Sequence, residues 1–184
     1  MKNNIKKKYS GIFRDGGAGK SAARRFRQRR LKLMAKENKI IVITGVPYGP
    51  GEETRWSYAY TPTYQEPTIM YLTGINQSQV ILLLDPHFKG ADEILFINPK
   101  DPSKEFWDGV RFGVGELKDL REAQRITGIK TIHDINDFEK ILKQRLLKRK
   151  KREIGTFWLE GVENSRRKFI KNDHNWNFKK RLGS

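Results

Sequence analysis

Asp101, Glu105 and Asp108 fall close together in the stretch Lys100-Asp101-Pro102-Ser103-Lys104-Glu105-Phe106-Trp107-Asp108-Gly109-Val110-Arg111, with Trp107 between two of the carboxylates. Carboxylates held near one another can divide general-acid and general-base work when their environments differ. No partner base lies beside these three, so they read as loop caps and ion pairs. Phe106 and Trp107 read either as anchors to a core or as exposed contacts, since large aromatics bury area well. The three histidines, His87, His133 and His174, are far apart, and none has a second histidine at helical metal-ligand spacing. His133, Asp134 and Asp137 form the nearest thing to a cluster, and their spacing at a helix start favours capping over metal binding. Gly19-Lys20-Ser21 resembles the end of a phosphate-binding loop, but Arg14 stands where the leading glycine is needed and no buried strand precedes it.

The elements that must hold the Trp107 stretch are legible around it. Ile94 to Ile97 is a short apolar run stopped by Asn98-Pro99, which predicts a strand. Gln79 to Asp85 is nearly all apolar, as a strand buried on both faces requires. Its short link to the next strand predicts a hairpin. Ile40 to Thr44 is a further buried strand. Ser21 is placed to cap a helix reaching Lys36, with Ala22, Ala23, Phe26, Leu33 and Met34 on one face and arginines opposite. Val114 to Ile126 predicts a helix ended by Thr127-Gly128. Thr131 to His133 is a brief extended link. Asp134 or Asn136 is placed to cap a helix carrying Ile135, Phe138, Ile141, Leu142 and Leu146 on one stripe. Gly155 to Glu160 is a last strand. Gly45 to Thr63 is a long aromatic loop, of the kind that serves function or an interface.

Composition narrows the classes. The chain has 184 residues, enough for one domain with a real core and short for two. With no cysteine, disulfide scaffolds, thiol catalysis and cysteine zinc sites are excluded, and a reducing compartment fits. No apolar run approaches the roughly 18–20 residues of a membrane span, and the start lacks the apolar segment of a secretory signal. The expected location is the cytoplasm, with no membrane partner. The net charge of +17 is uneven: +12 over residues 1–39, −6 over 40–139 and +11 over 140–184. Fields of that sign attract phosphates or acidic surfaces. The run Lys148, Arg149, Lys150, Lys151 and Arg152 reads as a solvated helix end favoured by the dipole, or as a nucleic-acid contact.

Asp101-Pro102 followed by Glu105-Phe106-Trp107-Asp108-Gly109, Arg111 and Gly113 resembles the signature of the amino-terminal domain of Xaa-Pro aminopeptidases (aminopeptidase P), in the creatinase/prolidase family. Tyr71-Leu72-Thr73-Gly74 matches the family's Y-L-T-G, and Arg25 to Leu31 its first helix. The order and spacing of these matches agree from roughly Ala22 to Leu182. The sequence departs at Tyr64 to Ile69, where the family has Arg-Gln-x-x-x-Phe, and at Gln77-Ser78, where it has Glu-Pro.

The resemblance implies an α/β fold, a mixed sheet of about five or six strands flanked by helices and ribonuclease-H-like. Residues 1–20 would be a basic flexible arm and 21–184 the domain. Family members cleave the bond before a proline with two manganese ions, held by Asp, Asp, His, Glu and Glu in a carboxy-terminal pita-bread domain. None of those ligands can be placed on this chain, which on this reading ends where that domain should begin; alone it is expected not to be a peptidase. By motif match Trp107 reaches a neighbouring subunit's active site, with Arg111 close by. The implied partners are the catalytic domain and further copies in a homo-oligomer. The alternative is a stand-alone domain binding RNA or a ribonucleoprotein through its basic ends, with 148–152 as contacts.

Overall fold

A computed structural model describes residues 20–45, 67–77, 79–103, 105, 111–148 and 154–156. Among these residues five strands form one mixed sheet. They are β1 (Ile40–Thr44), β2 (Ile81–Leu84), β3 (Glu93–Ile97), β4 (Thr131–Asp134) and β5 (Ile154–Thr156), in the order β4-β3-β2-β1-β5. The centre is antiparallel, with Val42 opposite Leu83 and Leu82 opposite Leu95. Both edges are parallel: Leu95 faces Ile132, and Ile41 faces Gly155. The hairpin between β2 and β3 is the one the short link predicts.

Every residue of β1, β2 and β3 is buried, because helices cover both faces. On one face Ile41, Ile43, Leu82, Leu84, Leu95 and Ile97 meet α1 (Lys20–Glu37), α2 (Pro67–Thr73) and α3 (Leu117–Thr127). On the other, Val42, Leu83, Ile94 and Phe96 meet α4 (Phe138–Leu147) through Phe138 and Leu142. Phe138 packs edge-on to Phe96 at 5.3 Å. Two apolar layers thus sandwich a sheet whose strands need no polar alternation.

The helix ends follow local chemistry. Gly128 closes α3 at φ 71°, its N–H donating to Gln124 O, the left-handed stop that Thr127-Gly128 predicts. Asp134 caps the turn Ile135–Asp137 by accepting the Asn136 N–H at 2.9 Å. One prediction needs correction. Ser21 lies inside α1, not before it, because the helix already includes Lys20. Arg30 does not belong to the exposed basic side: it is fully buried, on the face that carries Phe26 and Met34. Residues 45–63 and 157–160, predicted as loop and strand, fall outside the described residues, apart from Gly45.

Helix α1 carries an electrostatic cost. Arg24, Arg25, Arg27, Lys32 and Lys36 are exposed, and its first turn has no acid. Like charges three or four apart, such as Arg24/Arg27 and Lys32/Lys36, each cost about 0.2–0.5 kcal/mol. Its inner face outweighs that by burying Ala22 and Met34 and by the bonds of Arg30.

Candidate functional site

Two of the motifs meet across α1 and α2. Arg29 donates to Tyr71 O at 2.7 Å and lies over the Tyr71 ring at 4.0 Å. Arg30 donates to Leu72 O at 2.6 Å, to Thr127 O at 3.0 Å and to Glu93 Oε2 at 2.9 Å. One buried guanidinium therefore supplies the carbonyls that the ends of α2 and α3 leave open, and pairs with the first residue of β3. Gly74 follows α2 at φ 72°, and a Cβ there would lie 2.5 Å from Phe26 Cε2. The glycine of Y-L-T-G is needed both for the left-handed turn and for the close ring.

The carboxylate-rich loop begins at Asn98, after β3. Its stem is a parallel bridge between Pro99 and Val114: Lys100 N–H donates to Val114 O, and Val114 N–H to Asn98 O, both at 3.1 Å. Gln77 grips the returning strand. Its Nε2 donates to Phe112 O at 3.2 Å, and its Oε1 accepts the Phe112 N–H at 3.0 Å. Gly113 lets the two sides touch, since a Cβ there would come 2.5 Å from Lys100 Cα.

Lys100 sits at the centre. Its ammonium donates to Glu105 Oε1, to Asp119 Oδ2 at 2.7 Å and to Arg111 O at 2.8 Å, which uses all three of its protons. Glu105 Oε1 also accepts the Arg111 N–H at 2.7 Å. Burial by itself pushes the Lys100 ammonium down; the hydrogen bonds it donates to Asp119 and Glu105, with their charges, outweigh it and hold the pKa above the ordinary 10.5. An amine kept cationic and fully donated is neither a base nor a nucleophile at neutral pH. Asp101 caps the short turn by accepting from Ser103 N–H at 3.1 Å and Ser103 Oγ at 2.5 Å. Asp101 and Glu105 act as the cap and ion-pair partner that the sequence predicts.

Arg111 is half-buried and bound into this clamp through its backbone. Trp107 and Asp108 lie outside the described residues. The flanks of segment 106–110 are tied directly to each other by the Glu105–Arg111 hydrogen bond. Of the basic run 148–152, only Lys148 is described. Its Nζ lies 5.6 Å over the Phe88 ring, beside Arg145, which stacks on the same ring at 3.6 Å. Among the described residues no three His, Cys, Asp or Glu side chains are grouped to hold a metal ion. His133 instead lies by the Phe96 ring at 6.1 Å. The described residues do not fit a manganese pair.

Sequence reasoning missed Lys100, Asp119, Gln77 and Arg30. Arg30 had a signal: it falls midway between Phe26 and Met34 on the inward stripe. Gln77 had one too, as a polar residue between the buried Ile75 and Val80.

The model of the aminopeptidase P N-terminal domain family matches residues 26–154. The chain belongs to that family. It is 24% identical over 133 residues to human Xaa-Pro aminopeptidase 3, covering 70% of this chain and 23% of that protein. To the Xaa-Pro aminopeptidase of Haemophilus influenzae it is 27% identical over 119 residues, covering 64% and 25%. It therefore spans about a quarter of the length of these relatives. Among solved structures, Pseudomonas aeruginosa aminopeptidase PepP superposes with a TM-score of 0.57 at 23% identity, covering 88% of this chain and 34% of that one. Escherichia coli aminopeptidase P with the inhibitor Pro-Leu gives 0.52 at 21%, covering 67% and 27%. The aminopeptidase P N-terminal domain thus has the same fold: a mixed sheet between helical layers.

Proposed function

We propose that this chain is the accessory amino-terminal domain of a cytoplasmic Xaa-Pro aminopeptidase. It works beside a catalytic pita-bread domain that holds two manganese ions, and it takes no part itself in bond cleavage. Its role is to support a homo-oligomer and to shape the mouth of the active site, with Trp107 reaching towards substrate and Arg111 beside it. The observation that carries this reading is the Lys100 clamp. A partly buried ammonium bound by Asp119, Glu105 and Arg111 O has no chemistry left to perform, yet it fastens both flanks of the segment that contains Trp107. A fastened stem with no catalytic group is what a presenting loop needs.

The test is hydrolysis of an Xaa-Pro peptide with manganese, run on this chain alone and on the chain extended through its downstream reading frame. Cleavage by the extension alone supports the reading, and Trp107→Ala in the extension should then lower kcat/KM. Cleavage by neither, with no catalytic domain downstream, refutes it.

A further inference from the structure

We propose that the exposed face of α1 is a docking surface for the sugar-phosphate backbone of double-stranded RNA. This proposal does not depend on the peptidase reading, and it places the contact on the folded domain, on the sheet face opposite α4.

The residues of α1 that face outward are Ser21, Arg24, Arg25, Arg27, Gln28, Leu31, Lys32, Ala35 and Lys36. At 100° per residue they cover one continuous half of the helix. Five are basic and none is acidic. None of the five has a carboxylate partner among the described residues. Arg29 and Arg30 are instead bound within the fold, Arg29 to Tyr71 and the buried Arg30 to Leu72, Thr127 and Glu93. The helix thus sorts its cations into an inner pair that holds the fold and an outer set that the fold does not use. Ordinary solvated helix faces intersperse both signs. Here, among the described residues, no carboxylate pairs with the outer cations, and an external polyanion would relieve their repulsion. The adjoining helix α3, which packs along α1, also exposes cations, Lys118 and Arg121, and Lys130 follows it.

The shape favours RNA over DNA. Gly74 beneath Phe26 fixes α2 to one flank of α1, and Gly128 against Ala23 fixes α3 to the other. A helix seated between two neighbours offers a broad face and cannot enter a DNA major groove as a free rod does. The wide, shallow minor groove of an A-form duplex, with its phosphates and 2′-hydroxyls, meets such a face. The middle of the face, Gln28, Leu31 and Ala35, has little with which to read bases, so the binding is to shape and charge.

The experiment is fluorescence polarisation of the full chain with a labelled RNA duplex, competed by a DNA duplex of the same sequence. One variant carries Arg24→Gln, Arg27→Gln and Lys32→Gln; a second carries Lys148→Gln, Lys150→Gln and Arg152→Gln. A third, Arg24→Lys with Arg27→Lys, keeps the charge, and circular dichroism verifies that each is folded. Three lost phosphate contacts should weaken binding about a hundredfold at 0.1 M salt and flatten its salt dependence by 2 to 3 in log–log slope, roughly. The charge-keeping variant should bind within a few-fold of wild type, and RNA should outcompete DNA. The proposal is overturned if the α1 variant binds as tightly as wild type, if only the 148–152 variant loses affinity, or if DNA competes equally. Failure of the chain to bind RNA in low salt, or a preference for an acidic protein, overturns it as well.

Discussion

Replacing Arg30 by Met tests the most buried ion pair among the described residues. Arg30 is fully buried, and the Glu93 side chain is 5% exposed. The change leaves a carboxylate without its counter-charge and empties the donors at Leu72 O and Thr127 O. Removing one partner of a buried pair costs about 3–5 kcal/mol, a large part of the roughly 5–15 kcal/mol that holds a domain together. With about 2 kcal/mol per molar as the urea dependence, the unfolding midpoint should fall by about 2 M. The double variant Arg30→Met/Glu93→Leu should recover most of the loss, because no charge is then left buried. The pair is also imperfect: Arg30 Nε and Glu93 Oε1 have no hydrogen-bond partner, so an apolar replacement gives up less than the pair's geometry suggests. Urea unfolding followed by circular dichroism on the wild type, both single variants and the double completes the cycle. A loss under about 1 kcal/mol for Arg30→Met, or a double variant no better than the single, would refute the reasoning.

Other outcomes follow from the loop and its stem. Gly113→Ala should cost about 1–3 kcal/mol or more, since its Cβ meets the Lys100 backbone at 2.5 Å, while Gly90→Ala, in open space at φ 90°, carries only backbone strain; thermal melts compare them. Gln77→Ala should cost about 1–3 kcal/mol by removing both hydrogen bonds between its amide and the Phe112 backbone, and hydrogen exchange at Phe112 should speed up. The Lys100 pKa is raised in the folded chain, so its contribution is fully present below pH 10.5 and is lost as pH climbs through the higher folded value. Lys100→Met should therefore destabilise the chain at neutral pH and flatten the stability profile above about pH 10.5, read as urea midpoints across pH.

The parts that were legible in the sequence are those whose cause is local. Ile40 to Thr44, Ile81 to Leu84 and Glu93 to Ile97 are apolar at nearly every position because both faces are covered, and that pattern stands in the sequence itself. Gly128 stops α3 for a reason contained in one residue. The parts that were not legible join distant positions. Lys100 reads as a turn residue until Asp119 folds back onto it, and Gln77 reads as a departure from the family pattern until Phe112 lies against it. Arg30 was hidden by its type, since a single arginine in an apolar stripe looks like a gap in the stripe and not its anchor. The strand order was half open: the hairpin follows from a short link, but nothing local says that β5 returns beside β1.

That return has a kinetic side. β2 and β3 pair across a tight turn, whereas Ile40 finds Ile154 only after most of the chain has been laid down. Closing so long a loop is entropically costly before any contact rewards it. The short strand Ile154–Thr156 should therefore be the last to dock as the protein folds and the first to detach when it opens. Between those moments the outer edge of β1 is a bare row of amides on an apolar strand, the kind of template on which misassembly starts. A newly made chain is most vulnerable in the interval before β5 arrives.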